Sequence, residues 1–249
     1  MRAEQKGWTP VIKPPPPAQT DSGDWYDYFK PVSDVSITDA MQGANVVFAT
    51  TLPMIHKRYN PKNIAWRNRT AAKISLNDTA QKFIDQNLPK LKEKFSGPIV
   101  GIRFRGTDYR TSGSYKPIGH ASVPDVDLFC QTVVDDMNRW NIPVGKGEHI
   151  YVMTEEQEAL KAIQQHFPSC HFVEKERFEN FDFSKRKYLC YHRLPNTTPY
   201  ENNLFYLLET YMLASCDYLI GTHNGAVLMA CNLNGNQYKD VHILKTSIT

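Results

Sequence analysis

The sequence predicts an α/β protein in which a doubly wound, mainly parallel sheet forms the C-terminal part and a smaller region precedes it. Short apolar runs alternate with amphipathic stretches of helical length from about residue 97 onward, which is typical of βαβ units. Polar, glycine-containing segments follow several of these runs directly, as they do at the ends of strands. We therefore divide the chain into an N-terminal region, residues 1–96, and a sheet domain, residues 97–249.

The N-terminal region is predicted to contain two helices and an aromatic segment. Residues 24–29 concentrate aromatic side chains beside carboxylates, so this segment either covers a bound sugar or anchors the N-terminal arm on the body of the protein. A short helix followed by an apolar run is expected in residues 36–50. A longer helix is expected in residues 70–95, with Ser75 or Asn77 as its cap.

The sheet domain alternates predicted strands with predicted helices. The strands are residues 99–104, 149–153, 171–173, 218–221 and 241–244. The helices are residues 126–140, 155–167, 203–215 and a further helix that begins at residue 226. Because helical crossovers join strands that run in the same direction, this alternation predicts parallel pairing.

Composition excludes several classes of protein. The formal net charge is +3 and the basic residues are spread along the chain, which does not favour nucleic-acid binding. Five cysteines without a CxxC pair argue against a disulfide framework or a zinc site, and predict reduced, buried thiols. No apolar stretch approaches the roughly 20 residues that span a bilayer. We expect a cytoplasmic protein without a transmembrane segment; a trimmed anchor and peripheral membrane contact stay open, as does the oligomeric state.

The first polar cluster follows the strand at residues 99–104. Its sequence is Arg103–Phe104–Arg105–Gly106–Thr107–Asp108–Tyr109. Alternation along a strand places Arg103 and Arg105 on the same side, where they repel each other unless an anion or a carboxylate meets both. Guanidinium groups suit phosphate oxygens, and Gly106 allows close approach of the backbone. The alternative is an internal salt bridge between Arg105 and Asp108.

Two further clusters follow the strands at residues 149–153 and 218–221. Thr154, Glu155 and Glu156 either begin a helix, with Thr154 as its N-cap, or accept hydrogen bonds from a ribose or a base. The third cluster is Gly221–Thr222–His223–Asn224–Gly225, directly before a helix. It forms either a cradle of backbone N–H groups for an anion or an ordinary turn. In open parallel sheets, ligands bind beyond such strand ends, so the three clusters together predict one site.

The sequence lacks the common motifs of rival chemistries. It contains no HExxH zinc motif, no GxSxG nucleophile elbow and no Walker loop. Its one D-x-D pattern, Asp125 to Asp127, opens a predicted helix, where carboxylates have an ordinary dipole role. The predicted anion site therefore needs no metal, because Arg103 and Arg105 supply the positive charge.

Several segments together resemble the bacterial fucosyltransferase-like proteins, which are related to α1,6-, nodulation and protein O-fucosyltransferases. Residues 101–109 and 116–120 resemble the group's RGTDY…KPxGH signature. Residues 151–156 resemble YLATED, and residues 208–221 resemble E…LSxCDYxIG. Residues 25–33 resemble WxxYFxPVS, and the likeness is best over residues 97–249.

The resemblance implies a GT-B-type fold with a Rossmann-like donor domain at residues 97–249 and an acceptor-side region at residues 1–96. It implies metal-independent, inverting transfer of fucose from GDP-fucose to a glycan or other hydroxyl acceptor, as in polysaccharide biosynthesis, without a cofactor. The group's HxR motif falls on Arg103 and Arg105, and its serine-rich turn on residues 222–225, which here contain no serine. The expected catalytic residues are Arg103, Arg105 and Asp108. The expected donor-binding residues are Gly106, Thr107, Tyr109, His120, Thr154, Glu155, Glu156, Thr222, His223, Asn224 and Gly225.

Two other functions remain open from the sequence. A degenerate, non-catalytic relative that binds a nucleotide or a sugar would fit the short N-terminal region. A phosphate-ester hydrolase would fit an R-x-R-G-T sequence with two candidate histidines, His120 and His223.

Overall fold

A computed structural model describes residues 6–13, 25–43, 45–47, 74–106, 125–179, 193–222, 224–235 and 237–244. Its strands are β1 (Val100–Arg103), β2 (Ile150–Met153), β3 (Tyr218–Thr222) and β4 (Asp240–Leu244). They form a parallel sheet in the order β2-β1-β3-β4. The predicted parallel α/β architecture is confirmed, with β1 in the interior of the sheet.

The described residues also contain six α-helices and one short 3-10 helix, residues Trp25–Asp27. The α-helices are α1 (Ile37–Gln42), α2 (Asp78–Lys92), α3 (Val126–Arg139), α4 (Gln157–His166), α5 (Pro199–Ala214) and α6 (Gly225–Asn234). Asn77 is the N-cap of α2, since its side-chain oxygen accepts from the amide of Ala80 at 2.8 Å. Among the described residues, no helix is long and apolar enough to cross a membrane.

Two hydrophobic cores cover the two faces of the sheet, because alternate strand residues point to opposite sides. Val100 and Ile102 of β1 pack with α3 and α4 on one face. On the other face, α2, α5 and α6 pack against residues such as Tyr151 and Leu219. Gly101 permits this close packing, since a Cβ there would lie 2.8 Å from the Cys216 sulfur. The sheet is therefore doubly wound, as predicted.

Helices α4 and α5 begin at residues other than the predicted ones. Helix α4 starts at Gln157 rather than at residue 155, because Glu156 pairs as a parallel bridge with Phe178 and stays extended. The expectation that Thr154 is its N-cap is wrong, since Glu156 occupies that position. Helix α5 starts at Pro199, four residues before the predicted 203, with Thr198 in a capping box with Glu201.

One predicted strand and one predicted helix are shorter than expected. In the predicted strand at residues 171–173, His171 makes a single bridge to Tyr151. The predicted helix at residues 70–95 corresponds to α2 alone within the described residues, because the Asn77 cap sets its start. Residues 70–73 lie outside the described residues.

The aromatic segment anchors the N-terminal arm on α5, which is one of its two predicted roles. Tyr28 is 6% exposed and stacks on Tyr200 with 5.3 Å between ring centroids. Its hydroxyl accepts a hydrogen bond from Asn203 at 3.2 Å. The amide of Asn77 donates to the carbonyl of Tyr28, which also ties the arm to α2.

The cysteines within the described residues are free thiols, as predicted. They are Cys130, Cys170, Cys216 and Cys231, all of them buried, whereas Cys190 lies outside the described residues. Burial raises the pKa of Cys130 to about 12 and that of Cys170 to about 11. These thiols are therefore protonated at neutral pH and poor nucleophiles.

Candidate functional site

The order of the strands locates the candidate site. The chain leaves β1 toward β2 on one side of the sheet and leaves β3 toward β4 on the other. This reversal opens a crevice beyond the carboxyl ends of β1 and β3, where open parallel sheets bind ligands. The end of β1 carries Arg103 and Arg105, and β3 leads through Thr222 to α6. The first and third polar clusters therefore flank one crevice.

Arg103 lies at the end of β1 and is fully buried. Its Nη1 donates to the carbonyl oxygen of Phe104 at 2.9 Å and to that of Met153 at 3.3 Å. Its Nη2 forms a salt bridge with Oε1 of Glu155. These contacts join the end of β1 to the end of β2. Buried Arg103 therefore holds Phe104, Met153 and Glu155 in place from inside the protein.

Glu155 is the carboxylate that meets both arginines. The same Oε1 lies 3.7 Å from Nη1 of Arg105, whose side chain is 19% exposed, whereas that of Arg103 is 0% exposed. Burial alone would raise the pKa of Glu155, but the charges of Arg103 and Arg105 outweigh it and lower the pKa to about 2. Glu155 is therefore ionised at neutral pH. Of the two guanidinium groups, Arg105 is the one that solvent or a ligand reaches.

Glu156 and Thr154 fix the backbone around the two strand ends. Oε1 of Glu156 accepts a hydrogen bond from the amide of Gly106 at 2.7 Å. Thr154 is 1% exposed, and its hydroxyl accepts a hydrogen bond from the amide of Glu156 at 3.3 Å. The structure thus brings the first and second predicted clusters into direct contact, with their polar groups bonded to each other.

The third cluster forms a turn without charged side chains among its described residues. Asn224 is the N-cap of α6: its Oδ1 accepts from the amide of Val227 at 3.1 Å, and its Nδ2 donates to the carbonyl of Thr222 at 3.0 Å. By helix geometry, the amides of Gly225 and Ala226 have no acceptor inside the helix. A Cβ at Gly221 would lie 2.9 Å from Val227, so the glycine allows α6 to begin close to β3. Such a turn can bind an anion through its N–H groups.

Five predicted site residues lie outside the described residues. They are Thr107, Asp108, Tyr109, His120 and His223. Their roles, and the alternative pairing of Arg105 with Asp108, stay predictions. The carboxylate neighbour of Arg105 among the described residues is Glu155.

Sequence reasoning missed a group of buried polar residues behind the strand ends. Nζ of Lys175 lies 2.7 Å from Oε2 of Glu209, and Nη2 of Arg177 lies 3.8 Å from Oε1. Tyr206, one turn before Glu209 on α5, is close enough to Arg103, Glu155 and Arg105 for their charges to influence its pKa, which burial raises. Glu209 lies within the stretch at residues 208–221 that resembles the fucosyltransferase-like group, which was the one signal for this position.

The comparisons with known proteins concern the structure alone, since no protein-family model and no curated protein matches the sequence. NodZ α1,6-fucosyltransferase soaked with GDP-fucose matches with 15% identity and a TM-score of 0.50, over 93% of this chain and 84% of that one. NodZ co-crystallised with GDP matches with 14% identity and a TM-score of 0.51, over 92% and 83%. The fucosyltransferase NodZ from Bradyrhizobium matches with 14% identity and a TM-score of 0.50, over 92% and 83%.

At identities this low, the likeness concerns the fold. It extends over most of both chains. The protein therefore has the GT-B-type α/β fold of the NodZ fucosyltransferases, as the sequence resemblance predicted.

Proposed function

We propose that the protein is a glycosyltransferase that transfers fucose from GDP-fucose to a hydroxyl group of a glycan or similar acceptor. The observation that carries the proposal is the partly exposed guanidinium of Arg105. It pairs with buried Glu155 in the crevice where the strand order reverses. The fold likeness to NodZ, a protein solved with GDP and with GDP-fucose, supports the choice of donor.

Departure of GDP is the step that the site would assist. The acceptor oxygen attacks the anomeric carbon from the face opposite the diphosphate, the anomeric C–O bond breaks, and its electrons pass to the diphosphate. Arg105 would stabilise the developing negative charge, together with the amides at the start of α6. Inversion follows from attack on the opposite face.

The acceptor proton needs a base other than Glu155. With a pKa of about 2 and a position between two guanidinium groups, Glu155 does not take up a proton at neutral pH. We assign the base to Asp108, with Glu156 as the alternative, although Oε1 of Glu156 already accepts from Gly106. Arg103 would act by fixing Glu155 and, through it, Arg105.

The proposed reaction does not use a metal. Enzymes neutralise a leaving diphosphate either with a metal held by carboxylates or with fixed cations and N–H dipoles. Arg105 and the N-terminus of α6 are of the second kind. A metal near them would need carboxylates, but Glu155 is already bound by the two arginines.

Binding without catalysis is a second candidate function. One observation favours it: the carboxylates of Glu155 and Glu156 both contact donors of the protein itself. The protein would then bind a nucleotide or a nucleotide sugar and would not act on a glycan acceptor.

Incubation with GDP-fucose in excess EDTA separates these functions. Slow release of GDP and free fucose, accelerated by an acceptor, is the result expected of the transferase. Tight GDP binding without turnover would indicate the binding protein. Release of inorganic phosphate from simple monoesters would indicate a phosphate-ester hydrolase and refute the proposal.

A further inference from the structure

Residues 173–178 lie along the strand end that carries Glu155 and Glu156. The amide of Phe178 donates to the carbonyl of Glu155 at 2.9 Å, and the amide of Gln157 donates to the carbonyl of Phe178 at 3.0 Å. These bonds form the parallel bridge between Glu156 and Phe178. The bridge keeps Glu155 and Glu156 extended, so that both side chains reach the end of β1.

One buried arginine binds three carbonyl groups in this region. Arg177 donates from Nε to Thr154 at 3.2 Å, from Nη1 to Lys175 at 3.1 Å and from Nη2 to Val173 at 2.7 Å. We call these three hydrogen bonds the Arg177 clasp. The clasp joins the residue directly before Glu155 to the segment that runs beside it.

The charge of Arg177 is balanced from helix α5. Nη2 lies 3.8 Å from Oε1 of Glu209, and Lys175 pairs with the other carboxylate oxygen. The side chains of Arg177, Lys175 and Glu209 are 2%, 3% and 0% exposed. Replacing such buried ion pairs by apolar groups is often neutral or stabilising, so stability alone gives little reason for a buried arginine here.

We propose that Arg177 is a positioning residue for the donor site, a role that rests on the function proposed above. The clasp holds the carbonyl of Thr154. The two residues that follow, Glu155 and Glu156, contact the segment after the end of β1. Glu155 contacts Arg105, and Glu156 accepts from the amide of Gly106. Loss of the clasp would let both carboxylates shift, and Arg105 would lose its fixed position.

A lysine cannot reproduce this arrangement. The guanidinium group is planar and directs its N–H groups to carbonyls of two separate segments, whereas an ammonium group is a single point on a flexible chain. Arg177→Lys keeps the charge opposite Glu209 but loses the geometry. Arg177→Met removes both, and Lys175 remains as the partner of Glu209.

The test compares Arg177→Lys and Arg177→Met with a control, Arg139→Met. Arg139 is 58% exposed and pairs with Asp136 at 3.0 Å and Asp240 at 3.1 Å, so the control also loses ion pairs of an arginine. Hydrogen exchange of the Phe178 and Gln157 amides is measured on the ligand-free proteins. The dissociation constant for GDP is measured by calorimetry on the same samples.

We expect faster exchange at both amides in the Arg177 variants and a GDP dissociation constant raised about 10-fold or more, the usual effect of losing a supporting partner. Arg139→Met should change neither quantity. Unchanged exchange or unchanged GDP affinity in a folded Arg177 variant would overturn the proposal, as would failure of both variants to fold. If the wild type does not bind GDP, the proposed function fails, while the exchange comparison still decides whether the clasp holds the strand end.

Discussion

The two sides of the candidate crevice would bind an anion by different physical means. At the ends of β1 and β2, the carboxylate of Glu155 pairs with the guanidinium groups of both Arg103 and Arg105. At the start of α6, Asn224 and the backbone amides supply dipoles, and the described residues of that turn carry no charge. Both sides lie at the same edge of the sheet, so a bound diphosphate would touch both.

The difference shows what each kind of site requires from the fold. Buried charges need a counter-charge in fixed geometry, and removing one partner leaves the other unpaired in a medium of low dielectric constant. A helix N-terminus needs only its cap and its backbone. The charged side should therefore respond strongly to substitution and to pH, and the neutral side weakly to both.

The largest effect is expected from Glu155→Gln. It leaves Arg103 buried without its counter-charge, which should lower the free energy of unfolding by about 3 to 5 kcal/mol. Urea unfolding measures the change. Glu158→Gln, an exposed carboxylate on α4, is the matched control and should stay within about 0.5 kcal/mol of wild type. Equal changes in the free energy of unfolding for the two substitutions would mean that the Arg103–Glu155 pair does not stabilise the fold.

The next effect is on catalysis. Arg105→Ala should reduce the rate of donor turnover by about two to three powers of ten, because the charge that develops on GDP loses its stabilising partner. Circular dichroism should show a folded protein, since Arg105 is the more exposed of the two arginines. Full turnover by the folded variant would remove Arg105 from the mechanism.

Acid should separate the two sides of the crevice. The pKa of Glu155 is lowered from its ordinary value of 4.5 to about 2, so its contribution to stability is complete above pH 4.5 and lost as the pH falls toward 2. The stability difference between wild type and Glu155→Gln should shrink across that window. The difference between wild type and Asn224→Ala should not change there. A constant Glu155→Gln difference down to pH 2 would contradict the pairing.

The smallest effect is expected at the neutral turn. Asn224→Ala removes the cap of α6 and should cost about 1 kcal/mol of unfolding free energy, while Asn224→Ser should keep most of it. Thermal unfolding of the two variants is the measurement. A loss as large as that of Glu155→Gln would erase the distinction between the two sides.

The fold was largely predictable because its strands are buried apolar runs with clear ends. The predicted strand at residues 99–104 is β1, Val100–Arg103, and Asn77 was one of the two predicted caps of α2. The start of α4 was not predictable, since it depends on a bridge from Glu156 to Phe178, a pairing between separate segments. The start of α5 was readable: Thr198, Pro199 and Glu201 form a standard capping box.

The site was predictable only where residues share a strand or follow neighbouring strands. Alternation placed Arg103 and Arg105 together and required an anion or a carboxylate between them. That the carboxylate is Glu155 depends on the register of β1 and β2, which the local sequence does not encode. Arg177 and Glu209 lie 23 and 55 residues beyond Thr154 in the chain, and no periodic pattern connects them to it. Such contacts follow from packing and leave no local trace in the sequence.

The proposed crevice binds a nucleoside diphosphate through Arg105 without a metal. Thermal or chemical unfolding of wild type and Arg105→Ala with GDP in excess EDTA tests it most directly. At about 100 times its dissociation constant, GDP should add about 2.7 kcal/mol to the stability of the wild type and clearly less to that of Arg105→Ala. No stabilisation of the wild type, or stabilisation that needs added magnesium or manganese, would rule out metal-independent binding of GDP by Arg105.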